Sequence, residues 1–192
     1  LSFLNQRLQL IGNPPSYLLS QVSSTLPILS AMTKKEIQFT YTIHQDEQTL
    51  PETDRDLIAQ ARLVSQKAYA PYSNFKVGAA IRTTSGNIVS GSNQENGAFP
   101  IGQCAERVAL YTMVHAMGRL QIDTIAIVVD GQHVTSPASP CGSCRQVLSE
   151  YRSYQPQPIR ILLGTYHGNE LHEIRDINDL LPFAFNGKFL GF

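Results

Sequence analysis

Three segments decide the fold: Thr124-Ile125-Ala126-Ile127-Val128-Val129, then Pro140-Cys141-Gly142-Ser143-Cys144, then Pro158-Ile159-Arg160-Ile161-Leu162-Leu163. The first is a continuous apolar run of the kind that a strand buried on both faces requires, and the third reads as another buried strand. Between them, Cys141 to Tyr151 reads as a helix. Upstream, residues 104–118 read as another helix, with Gly118 as its stop. Val77 to Thr83 and Asn87 to Gly91 read as two strands joined by a hairpin turn at Thr84-Ser85-Gly86. Pro51-Glu52-Thr53-Asp54 starts a further helix with an apolar stripe at Leu57, Ala61, Val64 and Ala68, broken by Ala70-Pro71-Tyr72-Ser73-Asn74. Ile37, Phe39, Tyr41 and Ile43 alternate with polar residues, a period-2 strand. A short strand is expected near Leu171 to Ile174. The order β-α-β-β-α-β-α-β-β predicts an α/β fold, a mixed sheet in a three-layer α/β/α arrangement.

The chain has 192 residues, with 15 Lys+Arg against 15 Asp+Glu. A domain of this size buries a core without disulfides. The neutral balance argues against a nucleic-acid partner held by counterion release and against a polybasic membrane anchor. No stretch approaches the roughly 18 consecutive apolar residues of a spanning helix. Residues 1–33 carry a single charge, Arg7, and show neither strand nor helix period. They lack the pattern of a secretory signal. Residues 1–31 are therefore expected to be a disordered tail or an upstream artefact, with translation starting at Met32 and the catalytic domain covering residues 32–192.

Three cysteines cannot all pair within one chain, which leaves metal binding or catalysis to consider. Cys141 and Cys144 open one helix and Cys104 opens another. A C-x-x-C turn at a helix start can present both thiolates to one Zn²⁺, and Cys104 supplies a third ligand, leaving the fourth position open as in catalytic zinc sites. Glu106, two residues beyond Cys104, is placed to move a proton between bound water and substrate. Arg107 offsets part of the negative charge of the thiolates. A lone C-x-x-C also fits a structural zinc knuckle or a redox pair. Neither reading uses Cys104 and Glu106, and no His stands at ligand spacing to close the site. The combination of Cys104-Ala105-Glu106 with Pro140-Cys141-Gly142-Ser143-Cys144 is the pattern of zinc nucleobase deaminases.

Four blocks in order strengthen that reading: Tyr69-Ala70-Pro71-Tyr72-Ser73-Asn74-Phe75-Lys76-Val77-Gly78-Ala79-Ala80, Asn93-Gln94-Glu95-Asn96, Cys104-Ala105-Glu106-Arg107-Val108-Ala109, and Pro140-Cys141-Gly142-Ser143-Cys144-Arg145-Gln146. With the weaker Leu180-Leu181-Pro182-Phe183-Ala184-Phe185, the chain resembles the cytidine deaminase family in its small, homotetrameric, three-cysteine form, over about residues 50–185. The resemblance implies a cytidine deaminase-like fold and one Zn²⁺ per subunit on Cys104, Cys141 and Cys144, with Glu106 as proton shuttle. It implies hydrolysis of cytidine and deoxycytidine to uridine and deoxyuridine with release of ammonia, in pyrimidine salvage in the cytoplasm. It assigns Phe75, Asn93, Glu95, Ala105 and Ser139 to substrate binding: Phe75 against the pyrimidine, Asn93 and Glu95 on the ribose 3′-hydroxyl, the Ser139 carbonyl on the leaving amine. Phe99 and Phe185 are implied to act across a subunit interface. Phe99 stands where family members commonly have Tyr, and it lacks the hydroxyl associated with ribose recognition. The partner implied is a small nucleoside, with no nucleic acid and no membrane. A deaminase of another aminopyrimidine or aminopurine nucleoside and a non-catalytic zinc interaction module are the competing readings.

Overall fold

The structure is a computed structural model and describes residues 33–191. The expectations for residues 1–31 and for a start at Met32 lie outside the described residues. Contacts divide the chain after Ile37, and residues from Gln38 onward form one compact unit. Its elements are β1 (Thr42–His44), α1 (Glu52–Ser65), β2 (Lys76–Thr83), β3 (Ile88–Ser92), α2 (Ala105–Met117), β4 (Ile122–Asp130), α3 (Gly142–Arg152), β5 (Arg160–Thr165) and β6 (Leu171–Ile174). Short 3-10 turns fill several connections. This is the predicted order.

The six strands form one mixed sheet in the order β1-β6-β5-β4-β2-β3. Only β4 and β5 run parallel, and α3 makes the crossover between them. Alternation along each central strand divides the core in two. Ala79, Ile81, Ile125, Ile127, Ile161 and Leu163 pack with Ala109, Leu110 and Met113 of α2 and Leu148 of α3. Their neighbours Ala80, Ala126, Val128 and Leu162 pack on the other face with Leu57, Ile58 and Ala61 of α1. Because side chains alternate at period 2, apolar runs without polar breaks can coat both faces, and three layers follow.

Two glycines set the layer spacing. A Cβ at Gly78 would lie 2.0 Å from Ala61 O and 2.6 Å from Ser65 N, so α1 rests directly on the β2 backbone. A Cβ at Gly91 would lie 2.4 Å from Ala109 N, which places α2 on β3 in the same way. This close approach rotates the buried stripe of α1. The buried residues are Asp54, Leu57, Ile58, Ala61 and Ser65. Val64 is only half-buried, and Ala68 lies past the end of the helix, so these two predicted stripe members are replaced by Ile58 and Ser65.

The strand predicted over residues 37–43 shrinks to Thr42–His44. β1 is an edge strand whose sole ladder partner is the four-residue β6. Phe39, Tyr41 and Ile43 are exposed. Alternation marks a chain able to lie on a sheet, but a strand extends only as far as its partner does.

An ion-pair network braces the α1 side. Asp54 is 1% exposed, accepts from Arg82 Nη2 at 2.8 Å, and receives Arg160 Nη2 at 2.6 Å on both carboxylate oxygens. Arg160 also reaches Glu173 at 3.1 Å. Asp54→Ala would leave two part-buried guanidinium groups without their shared acid. The expected cost is about 3–5 kcal/mol, read as a lower urea midpoint with unchanged m. A loss under about 1 kcal/mol would place these pairs in the weak, solvent-screened class. Arg82 also pairs with the more exposed Asp123 at 2.7 Å. Desolvation raises the Asp123 carboxyl, but the Arg82 hydrogen bond and charge outweigh it and hold the group below its ordinary value. A lowered carboxyl pKa stabilises the fold above the ordinary carboxylate range, and that contribution is lost as pH falls through the lowered value.

Candidate active site

The start of β2, the end of β3 and the end of β4 meet at one edge of the sheet, where Val77 faces Val129 across the ladder. Both metal-type helices begin at the same edge. Cys104 is the N-cap of α2 and Cys141 the N-cap of α3, each with extended backbone. Cys144 lies in the first turn of α3 and is buried. The partial positive charge at a helix N-terminus favours thiolate there.

The three sulfurs lie within 4.8 Å of one another, and Cys104 Sγ is 3.7 Å from Cys141 Sγ. Thiolates at about 2.3 Å from one tetrahedral zinc stand about 3.8 Å apart. The spacing therefore fits a single zinc ion, and this is the one such cluster among the described residues. Arg107 Nη2 lies 3.8 Å from Cys104 Sγ and 3.4 Å from Gly102 O, while its buried Nε has no acceptor within the protein. A hydrogen bond from Cys144 holds the Cys104 thiol down at about 5 against the desolvation of its site, with Arg107 assisting. The same hydrogen bond and burial push Cys144 up.

Glu106 is the second residue of α2 and 4% exposed. Burial raises its carboxyl above the ordinary value, and the neighbouring Cys104 adds to this. It lines a cavity of about 420 Å³ together with Phe75, Asn93, Glu95, Phe99, Cys104, Arg107, Ser139 and Cys141. Nine residues picked from the sequence thus share one space. Ala105 does not line it: its side chain is wholly buried in the core, and it stands as the first residue of α2, where helix N–H groups lack intrahelical acceptors. Phe185 is also absent from the lining. It is exposed and stacks on Phe189 at 5.6 Å between centroids.

The structure explains how the separate blocks cohere. Asn93 Oδ1 accepts from the Val77 N–H at 2.7 Å, and its Nδ2 donates to Phe75 O at 2.9 Å. One donor and one lone pair of that amide remain for a ligand. Glu95 Oε2 accepts from the Tyr72 N–H at 2.9 Å and the Ser73 N–H at 3.3 Å, and Oε1 accepts from the Ser73 hydroxyl. The Ser73 hydroxyl and the Tyr72 N–H together hold Glu95 below the usual carboxylate range, so it is an acceptor at neutral pH. Asn74 turns this loop with φ of 54°, a left-handed conformation that Asn tolerates better than other non-glycine residues. Gln94 exchanges both backbone hydrogen bonds with Gln103 at 2.8 Å, which brings the Asn93 block against the Cys104 block.

Sequence reasoning missed the apolar floor of Val77, Ile127 and Val129 and the polar wall of Asn96 and Gln103. The floor residues sit on strands whose register is a long-range property. Gln103 had a signal, since it immediately precedes Cys104.

This centre can hold a metal that activates water, with a buried carboxyl beside it to carry the proton. Comparisons with known proteins place the chain in a family. A family model described as the cytidine and deoxycytidylate deaminase zinc-binding region matches residues 51–156. A cytidine deaminase of Halalkalibacterium halodurans is 38% identical over 132 residues, covering 69% of this chain and 93% of that protein. One from Mycobacterium tuberculosis is 35% identical over 142 residues, covering 71% and 92%. The crystal structure of cytidine deaminase from Burkholderia pseudomallei superposes with a TM-score of 0.61 at 39% identity, covering 68% of this chain and 98% of that one. The chain belongs to the cytidine and deoxycytidylate deaminase family, whose zinc-binding region it carries. No helix among the described residues is long and apolar enough to cross a membrane.

Proposed function

We propose that this protein hydrolyses cytidine and deoxycytidine to uridine and deoxyuridine with release of ammonia, a step of pyrimidine salvage. The observation that carries the reading is the buried Glu106 carboxyl opening into a nucleoside-sized cavity beside three convergent thiols. Cys104, Cys141 and Cys144 would hold one zinc ion, which supplies Lewis acidity and a more acidic bound water when present. Glu106 accepts a proton from the attacking water and delivers it to ring N3, making C4 more electrophilic. It then takes the remaining proton from the C4 hydroxyl of the adduct and passes it to the amine, and the C4–N bond breaks as the C4 carbonyl forms and ammonia leaves. Phe75 packs on the pyrimidine. Asn93 and Glu95, preset by their bonds to the β2 entry loop, hold the ribose hydroxyl. The Ser139 carbonyl receives the leaving amino group, and Arg107 tempers the charge on the thiolates. The α2 N-terminus at Ala105 places its backbone near the ring. The catalytic domain is taken as residues 32–192, supported by the compact unit from Gln38 onward and by the family match.

The lining favours a nucleoside over a nucleotide. Arg107 is the one cationic side chain on the wall, and it is directed at Cys104 and Gly102, while Glu95 is anionic. Among the described residues a 5′-phosphate meets no free cation there, and Glu95 repels it. Exposed Phe99, Ile101, Tyr111, Met117, Phe185 and Phe189 offer apolar surface that a homotetramer would cover. In such an assembly Phe185, absent from its own cavity, would reach a neighbour's. Three free thiols that must stay reduced to bind metal favour the cytoplasm.

The test is ammonia release measured in parallel with cytidine, deoxycytidine, deoxycytidylate, a nucleoside antibiotic bearing a cytosine ring, and single-stranded DNA. Turnover of the first two alone is expected. Turnover of the antibiotic alone would support the competing nucleoside reading. Phe99 lines the cavity 5.8 Å from the Tyr72 ring and offers no hydroxyl. Phe99→Tyr is expected to lower KM for cytidine by about two- to tenfold, the worth of one net hydrogen bond. An unchanged KM would remove Phe99 from ribose recognition.

A further inference from the structure

We infer that Arg145 is a positioning residue that holds the Ser139-Pro140 backbone in the orientation that recognises the substrate's amino group. This rests on the deamination reading above. Arg145 follows Cys144 in the first turn of α3, where a cation opposes the helix dipole. Three hydrogen bonds offset that placement. Nε donates to Pro140 O at 2.7 Å, Nη2 donates to Ser139 Oγ at 2.7 Å, and Nη1 donates to Leu180 O at 3.1 Å. Each of the three nitrogens has its own acceptor, and two of these belong to the loop that enters Cys141.

The arrangement suits a loop that must present a carbonyl. Pro140 has no N–H, so the peptide between it and Ser139 cannot be anchored through a donor, and the loop is held through acceptors instead. The third bond anchors the guanidinium to Leu180, and the next residue extends the brace, with Gln146 Nε2 donating to Phe185 O at 2.6 Å. The loop is thereby clamped to both the metal-type helix and the C-terminal segment. The three bonds leave from three separate nitrogens of one planar fork, a spread that the single nitrogen of a Lys ammonium does not reproduce. Ser139 lines the cavity, so its backbone direction decides how well an acceptor meets a C4 amino group. The Arg145 side chain itself lies outside that lining.

A purely structural clamp would weaken all ligands alike. A clamp that orients a carbonyl weakens a ligand with a C4 amine and spares one with a C4 oxygen. The experiment measures dissociation constants for cytidine and uridine by calorimetry on zinc-loaded protein, in a Glu106→Gln background that slows turnover. Zinc content and Tm are recorded alongside. Arg145→Lys is expected to lower the cytidine-over-uridine preference by about tenfold while zinc stays at about one per chain. Equal weakening of both ligands, or an unchanged preference, overturns the inference. Should Arg145→Lys fail to fold or to hold zinc, Ser139→Ala removes one of the three bonds and must lower the preference in the same direction; an unchanged preference there also overturns it. Wild-type protein that does not convert cytidine would defeat the deamination reading, whereas active wild type with an unchanged preference in the variants defeats only the role of Arg145.

Discussion

Glu106→Gln is expected to lower kcat for cytidine by about 10²- to 10⁴-fold, the range of a lost general acid–base. Gln nearly matches the size of Glu, so the packing at this buried second position of α2 is retained. The amide can still donate and accept hydrogen bonds but cannot carry a proton between water and ring N3. Its charge is also gone from beside Cys104, which does not hinder metal binding, because the acid is not needed as a ligand. Zinc content, Tm and the affinity for cytidine should therefore stay close to wild type while turnover collapses. A kcat within about threefold of wild type would show that protons travel by another route.

Cys104→Ala is expected to have the second large effect, and through the metal. Three thiols leave a coordination position for water, and removing one leaves two thiols from a single C-x-x-C turn. Cys104 is also the thiol paired with Arg107. Zinc content measured after dialysis should fall well below one per chain, and activity should fall with it. The helix start itself should survive, since Cys104 makes no side-chain cap hydrogen bond. Full zinc occupancy with unchanged turnover would exclude Cys104 as a ligand. The comparison with Glu106→Gln separates the two roles, because one variant loses activity with its zinc and the other loses activity while keeping it.

The legible part of this protein was local. Strands β4 and β5 appear in the sequence because Ile125 to Val129 is apolar without a break and Ile161 to Leu163 repeats the pattern after the single charge of Arg160, as doubly covered strands require. Helix α2 appears because residues 104–118 end on Gly118 as a stop, and α3 because Cys141 to Tyr151 follows directly on Pro140. The cysteines and Glu106 were legible for the same reason: their spacing along two helix starts already encodes their meeting point. The less legible features depend on partners far along the chain. Ile37 to Ile43 alternates correctly, yet only Thr42 and Ile43 of that stretch pair with the four-residue β6. The stripe of α1 turns toward Ile58 and Ser65 because Gly78, on the facing strand, has no side chain to keep the helix away. Asn93 bonding the backbone of Phe75 and Val77, and Arg145 gripping Ser139, Pro140 and Leu180, are consequences of register and crossover. The family resemblance named Asn93 and Glu95 as ribose ligands; the structure adds that both are pinned in place by the loop that carries Phe75.

The central claim is that one zinc ion on Cys104, Cys141 and Cys144 enables Glu106 to drive deamination of cytidine. Its most direct test is to strip the metal with a chelator, return zinc in measured steps, and follow ammonia release from cytidine at each step. The account predicts no activity in the stripped protein, then a linear rise that saturates at about one zinc per chain. Full activity without zinc, or none in protein carrying a full complement of it, would contradict the account.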